Sequence, residues 1–245
     1  MTAHQGARLS AKELPWRERL IVALDTPDAG EAQKLVGKLG DAVEFYKIGL
    51  ELFMAGGYFD LLDWLRDKGK KVFVDLKFFD VPQTVGSAVR QLQGKGAVFA
   101  TVHGNDQILK AACDHKETTK ILAVTVLTSL DDGDLGDLGF QVDARRLVLS
   151  RARRALEIGC DGVISSGLEA SGLRDQLGHK FLIVCPGIRP VANADDQKRT
   201  VDVEEAFLNG ADYIVVGRPI RQAADPQQAA EAMQARIQKL FEPQR

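Results

Sequence analysis

Asp75, Lys77 and Asp80 stand together at the end of an apolar run, in the stretch DLKFFD. The preceding KVFVDLK (71–77) is rich in Val and Phe and reads as a strand. Side chains alternate along a strand, so Phe73, Asp75 and Lys77 are expected on one face and Val72, Val74 and Leu76 on the other. A carboxylate and an ammonium on one buried face are costly unless they neutralise each other or serve a ligand. Two further charges belong to the same pattern. The run ending in Asp25 and the run FYKIG (45–49) bring Asp25 and Lys47 to the ends of two earlier strands. Inward alternation predicts a row of alternating sign, Asp25, Lys47, Asp75, Lys77, at one level. Such a row has no Ser or Cys nucleophile with a base, and no His/carboxylate set for a metal. An ammonium held between carboxylates stays protonated and forms imines poorly. It suits proton donation and charge compensation of a forming carbanion. A reaction that places negative charge on carbon and then protonates it, such as decarboxylation, fits the row. A purely structural ion network would show the same residues; their position at strand ends favours chemistry.

Those ends must be brought together by the elements that carry them. Short β-branched runs recur at 20–24, 45–48, 72–76, 98–102, 121–127, 162–165, 181–184 and 213–216. Helical signals fill the gaps at 29–39, 58–68, 83–93, 143–158, 203–209 and 226–240. Asp28, Asp143, Asp202 and Asp225 stand where helix N-caps are expected, and Gly40, Gly69, Gly159 and Gly210 where helices should stop. Strict strand–helix alternation calls for a parallel sheet, and eight units in roughly 250 residues predict a closed (β/α)8 TIM barrel of the α/β class. The open doubly wound sheet is the competitor, but the first strand is followed by DTPD rather than a glycine-rich phosphate turn. With no linker or low-complexity segment, residues 19–245 are expected to form one barrel domain. Residues 1–18 then form a short polar extension that packs through Leu14 and Trp16.

Bulk properties narrow the classes of partner. A net charge of −2 gives no bulk attraction to nucleic acid or to an anionic membrane surface, so an anionic ligand must be met by locally placed cations. The three cysteines, Cys113, Cys160 and Cys185, are too few and scattered for a disulfide framework or a zinc site. Reduced thiols fit a cytoplasmic protein. No apolar run has membrane-span length, and the first 18 residues lack the apolar centre of a secretory signal.

In barrels, phosphate is often held by the loops after strands seven and eight. Strand seven is followed by PGIRP (186–190) and a polar loop with Gln197 and Arg199, and strand eight by Gly217-Arg218-Pro219. Gly217 permits close backbone approach and Arg218 can clamp phosphate through two N–H groups. The longest connection, Thr128 to Asp137, is acidic and glycine-rich and follows strand five. It reads either as an active-site cover or as a plain solvated loop.

These motifs resemble one family. LDTP (24–27), FYKIGLELF (45–53), FVDLKFFDVPQTV (73–85), VTVLTS (124–129), PGIRP (186–190), DDQKRT (195–200) and VVGRPI (215–220) are similar to the bacterial-type monofunctional orotidine 5′-phosphate decarboxylases, from about residue 20 to 240. The D-x-K-x-x-D signature is met by Asp75, Lys77 and Asp80. The resemblance implies decarboxylation of orotidine 5′-monophosphate to uridine 5′-monophosphate and carbon dioxide, the last step of de novo pyrimidine synthesis, with no cofactor or metal. It implies Lys77 as proton donor to C6, Asp75 beside the departing carboxylate, Lys47 on the ribose and Asp25 on ribose hydroxyl. Asp80 and Thr84 would cross a homodimer interface into the partner's site. Thr128 and Ser129 would contact the pyrimidine or its loop; Gln197, Gly217 and Arg218 would hold phosphate, with Arg189 on the same side. One departure is His103-Gly104-Asn105-Asp106, where the family often has Ala/Ser-Gly-Gly after the His. His103 is read as a structural or wall residue. Alternatives remain: a magnesium-dependent sugar-phosphate decarboxylase or hexulose-phosphate synthase of the same superfamily, a Schiff-base aldolase using Lys47 or Lys77, or a catalytically silent phosphate-binding barrel.

Overall fold

The computed structural model describes residues 8–189 and 201–242. Eight parallel strands close in sequence order: β1 (Leu20–Ala23), β2 (Phe45–Gly49), β3 (Lys71–Phe78), β4 (Ala97–Val102), β5 (Lys120–Val124), β6 (Gly162–Ile164), β7 (Leu182–Cys185) and β8 (Tyr213–Val216). The β1–β8 pairing, Leu20 to Ile214 through Val22 to Val216, completes the ring. The expected TIM barrel is the observed fold.

The alternation read from the sequence divides the molecule into two apolar layers. Ile21, Phe45, Phe73, Phe99, Leu122, Val184 and Tyr213 fill the barrel interior. The rings of Phe45, Phe73, Phe99 and Tyr213 pack edge-on or tilted, with centroids 5.2–6.0 Å apart. Val22, Tyr46, Val72, Val74, Ala100, Ile121, Ile183 and Ile214 face outward and are covered by helices. Both faces of each strand are therefore buried, which explains why the strands read as continuous apolar runs.

Six helices follow the expected positions: α1 (Ala29–Leu39), α3 (Tyr58–Asp67), α4 (Pro82–Arg90), α7 (Ala144–Ile158), α9 (Val203–Leu208) and α11 (Pro226–Phe241). Asp28, Asp143 and Asp225 accept from backbone N–H groups of the first turns of α1, α7 and α11. Asp202 makes no such bond; its carboxylate pairs with Arg236 of α11 instead. Among the described residues, five further helices lie outside the ranges read above: α2 (Leu50–Ala55), α5 (Asp106–Asp114), α6 (Asp132–Asp137), α8 (Ala170–Leu177) and α10 (Arg218–Arg221), of which α5 and α8 fill the gaps where the alternation calls for a helix. Most are too short for a 3.6-residue repeat to emerge from the sequence. Strand five also ends earlier than expected, at Val124, because Thr125 turns to donate its hydroxyl to the Ile164 carbonyl.

The segment ahead of β1 packs under the barrel. Leu14 packs against the interior layer and Trp16 against the outer one, and polar contacts fix the segment as well. Ser10 and Lys12 both donate to Asp212, which is fully buried at the start of β8 and also accepts from Arg174 (2.8 Å) and the Ile183 N–H. Arg19 donates to the carbonyls of Asp212 and Lys12.

Candidate active site

The strand C-terminal ends surround a cavity of about 500 Å³. Asp25, Lys47, Asp75, Lys77, Thr128, Ser129, Arg189, Gly217 and Arg218 all line it. Nine residues predicted from six different strand ends thus meet in one hollow. Gln197 and Arg199 lie outside the described residues.

The row of alternating charge is continuous. Lys47 Nζ lies 3.0 Å from Asp25 Oδ1 and 3.4 Å from Asp75 Oδ2, and Lys77 Nζ lies 2.9 Å from Asp75 Oδ1. The expectation of one common level needs correction. Lys47 is paired in register with Phe73, and Asp75 with Gly49, so Lys47 starts lower in the barrel. Its long stem spans the step, and Gly49 leaves the space it needs. A Cβ on Gly49 would come within 3.2 Å of Lys47 Nζ and 3.7 Å of Asp25 Oδ1. The ammonium therefore sits over a glycine, between two carboxylates.

Burial acts on Lys47 by disfavouring its charge, but Asp75 and Asp25 overcome that and hold its pKa above the ordinary lysine value. Burial likewise works against the Asp75 carboxylate, yet Lys47, Lys77 and two hydrogen bonds keep its pKa below the ordinary value. Both groups are charged at neutral pH, although nearly nine-tenths of each side chain is out of solvent.

Lys77 reaches the same cavity as Asp75, as alternation predicts, but through a kinked backbone rather than a regular strand. Lys77 has φ +48°, a left-handed conformation unusual for a non-glycine residue, and the β3–β4 register shifts between Val74 and Phe78. Thr101 of β4 pins this kink. Its hydroxyl accepts from the Lys77 N–H (2.9 Å) and donates to Asp75 Oδ1 (2.8 Å). Thr101 was missed by sequence reasoning, since a threonine within an apolar strand gives no sign of what it faces. Arg221, which also lines the cavity, was missed as well, one turn beyond Arg218.

Gly217 is the residue before α10. A Cβ there would meet only Ala23 and Asp25, at ordinary contact distances of 3.5 and 3.6 Å, so packing does not demand glycine at this position. Arg189 is buried; its guanidinium donates to the Ile188 carbonyl, and its backbone N–H to Val201. Thr128 is buried and Ser129 half-buried at the wall. The acidic connection beyond them forms helix α6, entered through reciprocal bonds between Asp131 and Asp134.

Asp80 and Thr84 do not join the cavity. Both are exposed, with Asp80 Oδ1 accepting from the Val81 N–H and Thr84 on the first turn of α4. His103 is also elsewhere, in a side hollow of about 320 Å³ between α5 and α7. Burial, then the charges of Arg151 and Lys77, keep its pKa below the ordinary histidine value, so it is neutral at pH 7. The unusual turn after it has a local explanation. Gly104 has φ +126°, and a Cβ would fall 2.7 Å from Ile108 Cδ1, while Asn105 caps α5 by accepting from the Ile108 N–H. The turn leaves the charge row intact.

A family model described as orotidine 5′-phosphate decarboxylase / HUMPS family matches residues 18–233. The chain belongs to that family. An orotidine 5′-phosphate decarboxylase of Methylococcus capsulatus is 65% identical over 235 residues, covering 95% of this chain and 97% of the relative. One from Stenotrophomonas maltophilia is 50% identical over 234 residues, covering 94% and 97%. The crystal structure of the orotidine 5′-phosphate decarboxylase of Lactobacillus acidophilus superposes with a TM-score of 0.79 at 39% identity, covering 92% of this chain and 99% of that one. An uncharacterized conserved protein from Geobacillus kaustophilus gives 0.75 at 32%, covering 91% and 100%. The family's charge signature and the cavity built here coincide at Asp75 and Lys77.

Proposed function

We propose that this protein decarboxylates orotidine 5′-monophosphate to uridine 5′-monophosphate and carbon dioxide, the closing step of pyrimidine nucleotide assembly. The observation that carries the reading is the Asp25–Lys47–Asp75–Lys77 row in a cavity that Gly217 and Arg218 also line, Gly217 standing beside the Asp25 end of the row. The C6–carboxylate bond breaks, its electron pair stays on C6, and the Lys77 ammonium supplies the proton that replaces carbon dioxide. Asp75 lies beside the departing carboxylate, and its own ion pairs with Lys47 and Lys77 fix both ammoniums before substrate arrives. Such preorganised charge costs no reorganisation during reaction. Lys47 and Asp25 face the ribose, Thr128 and Ser129 the pyrimidine side. Gly217 and Arg218 take the phosphate, with Arg189 on the same wall. Remote phosphate contacts can lower the barrier as well as aid binding. The chemistry assigned to these side chains uses no metal and no organic cofactor.

A homodimer is part of this reading. Asp80 is flanked by exposed Phe79 and Val81, and α2 exposes Leu50, Phe53 and Met54 on the preceding unit. Apolar side chains around an exposed carboxylate suit an interface that carries Asp80 and Thr84 to a partner's cavity. A cytoplasmic setting goes with this reading; among the described residues no helix is long and apolar enough to cross a membrane.

The family's other branch, magnesium-dependent sugar-phosphate chemistry, shares the Asp-x-Lys-x-x-Asp strand end; the names of the relatives quoted above favour the nucleotide. The deciding experiment mixes the purified protein with orotidine 5′-monophosphate in EDTA and follows the ultraviolet change on carboxylate loss. Rapid conversion, abolished by Lys77→Ala, supports the proposal. A folded protein that converts nothing in EDTA, but processes sugar phosphates with magnesium, overturns it.

A further inference from the structure

Away from the cavity, two thiols face each other across neighbouring helices. Cys113, in the last turn of α5, has its Sγ 3.6 Å from that of Cys160, which follows α7 and precedes β6. The two residues are 47 positions apart in the sequence, which is why spacing alone marked them as scattered. We propose that Cys113 and Cys160 form a reversible intramolecular disulfide when the protein meets a peroxide.

The turns that carry the two sulfurs are already fastened together. Lys116, three residues after Cys113, donates to the Gly159 carbonyl (3.0 Å) and to Asp161 Oδ2 (2.7 Å), the residues on either side of Cys160. Asp161 in turn accepts from the Ile121 N–H, and the Cys160 N–H donates to Ala155. Bond formation requires the sulfurs to close from 3.6 Å to about 2.05 Å, within reach of side-chain rotation when both backbones are held. Access is asymmetric: Cys113 is half-buried, whereas Cys160 is buried. Either thiol can donate in this contact; with Cys160 as donor and the Lys116 ammonium nearby, the Cys113 pKa is lowered, against the opposing effects of burial, Asp161 and Asp114. Cys113 is therefore the attacking sulfur and Cys160 the resolving one.

The step balances. The Cys113 thiolate attacks a peroxide oxygen, the O–O bond breaks, and hydroxide leaves, producing a sulfenic acid. The Cys160 sulfur then attacks Cys113 Sγ, the S–O bond breaks, and the departing hydroxide takes the Cys160 proton as water. Two thiols lose two electrons and the peroxide gains them. Cys185, on β7 and fully buried, has no part in the exchange.

Both cysteines sit at the opposite end of α5 from the turn after β4, remote from the charge row, so the bond stiffens the shell without touching the cavity. The test exposes the intact full-length protein to a slight excess of hydrogen peroxide, then alkylates in denaturant and maps peptides. The expected result is loss of two alkylatable thiols, a Cys113–Cys160 cross-linked peptide, and full reversal by dithiothreitol. A rise in unfolding temperature by several degrees should accompany the bond, and Cys113→Ser and Cys160→Ser should each abolish both changes. Three thiols still alkylatable after oxidation, or over-oxidised Cys113 with Cys160 still reduced, overturns the proposal; so does a cross-link to Cys185 or to a second chain.

Discussion

Thr101 shows most clearly how a site depends on a residue that never touches substrate. One hydroxyl satisfies the N–H of a left-handed lysine and one oxygen of a buried carboxylate. Thr101→Val keeps the shape and removes both bonds. A hydrogen bond to a charged group contributes about 1.5–3 kcal/mol, so turnover should fall roughly 10- to 100-fold. Steady-state kinetics beside a thermal melt checks this; an unchanged kcat would show that Asp75 and Lys77 hold their geometry alone. The row also sets a pH dependence of stability. Asp75 has its folded pKa depressed, so its contribution is present above the unfolded value near 3.9 and is lost as pH falls through the folded one. Lys47 has its folded pKa raised, so its contribution is present below the unfolded value near 10.4 and is lost as pH rises through the folded one. Urea unfolding across pH should therefore show the contribution of this pair level between about pH 4 and 10. Relative to Lys47→Met, wild type should lose its advantage only towards the extremes.

Elements decide how these side chains are aimed. The β3 kink and the turn after β4 are adjacent, joined by the His103 N–H to the Phe78 carbonyl. That turn hands the chain to α5 through Asn105, whose side chain replaces a backbone partner for the Ile108 N–H. Asn105→Ala should cost about 1 kcal/mol, read as a lower urea midpoint at unchanged slope, with kcat retained. A loss of activity out of proportion to stability would mean that the turn steers Thr101 and Lys77 directly. The sequence was most legible where one periodicity ran long: α1, α7 and α11 follow the predicted ranges closely because apolar faces recur over three or more turns. It was least legible at α2, α6 and α10, where one or two turns are decided by what the chain must bridge rather than by a repeat.

At the scale of the molecule, the two ends of the barrel are fixed by different charges. Beneath it, Arg174 and Asp212 form an ion pair with neither side chain exposed, tied to the incoming segment through Ser10 and Lys12. Breaking a buried pair by removing one partner strands the other, so Arg174→Met should destabilise by about 3 kcal/mol, measurable by chemical denaturation. If Lys12 and Ser10 alone sufficed to satisfy Asp212, that loss would shrink to less than about 1 kcal/mol. Above the barrel, Asp80 and Thr84 project outward instead of into their own cavity. On the proposed shared-site dimer, mixing Asp80→Ala with Lys77→Ala chains should restore some activity, because each hybrid would then keep one intact site. Demonstrated subunit exchange with no recovery would remove Asp80 from the partner's site.

The sequence by itself determined the barrel, its layers and the identity of the charged row, because alternation along eight short runs leaves little choice of topology or of inward residue. Phe73 and Asp75 face inward for that reason. Only the tertiary structure decided the spacing of the charges. The register that sets Lys47 below Asp75, the room over Gly49 and the left-handed turn at Lys77 all arise between strands. So does the meeting of Cys113 with Cys160. Local pattern fixes which face a side chain takes; its distance from a group on another strand depends on barrel stagger and packing, which no window of neighbouring residues contains.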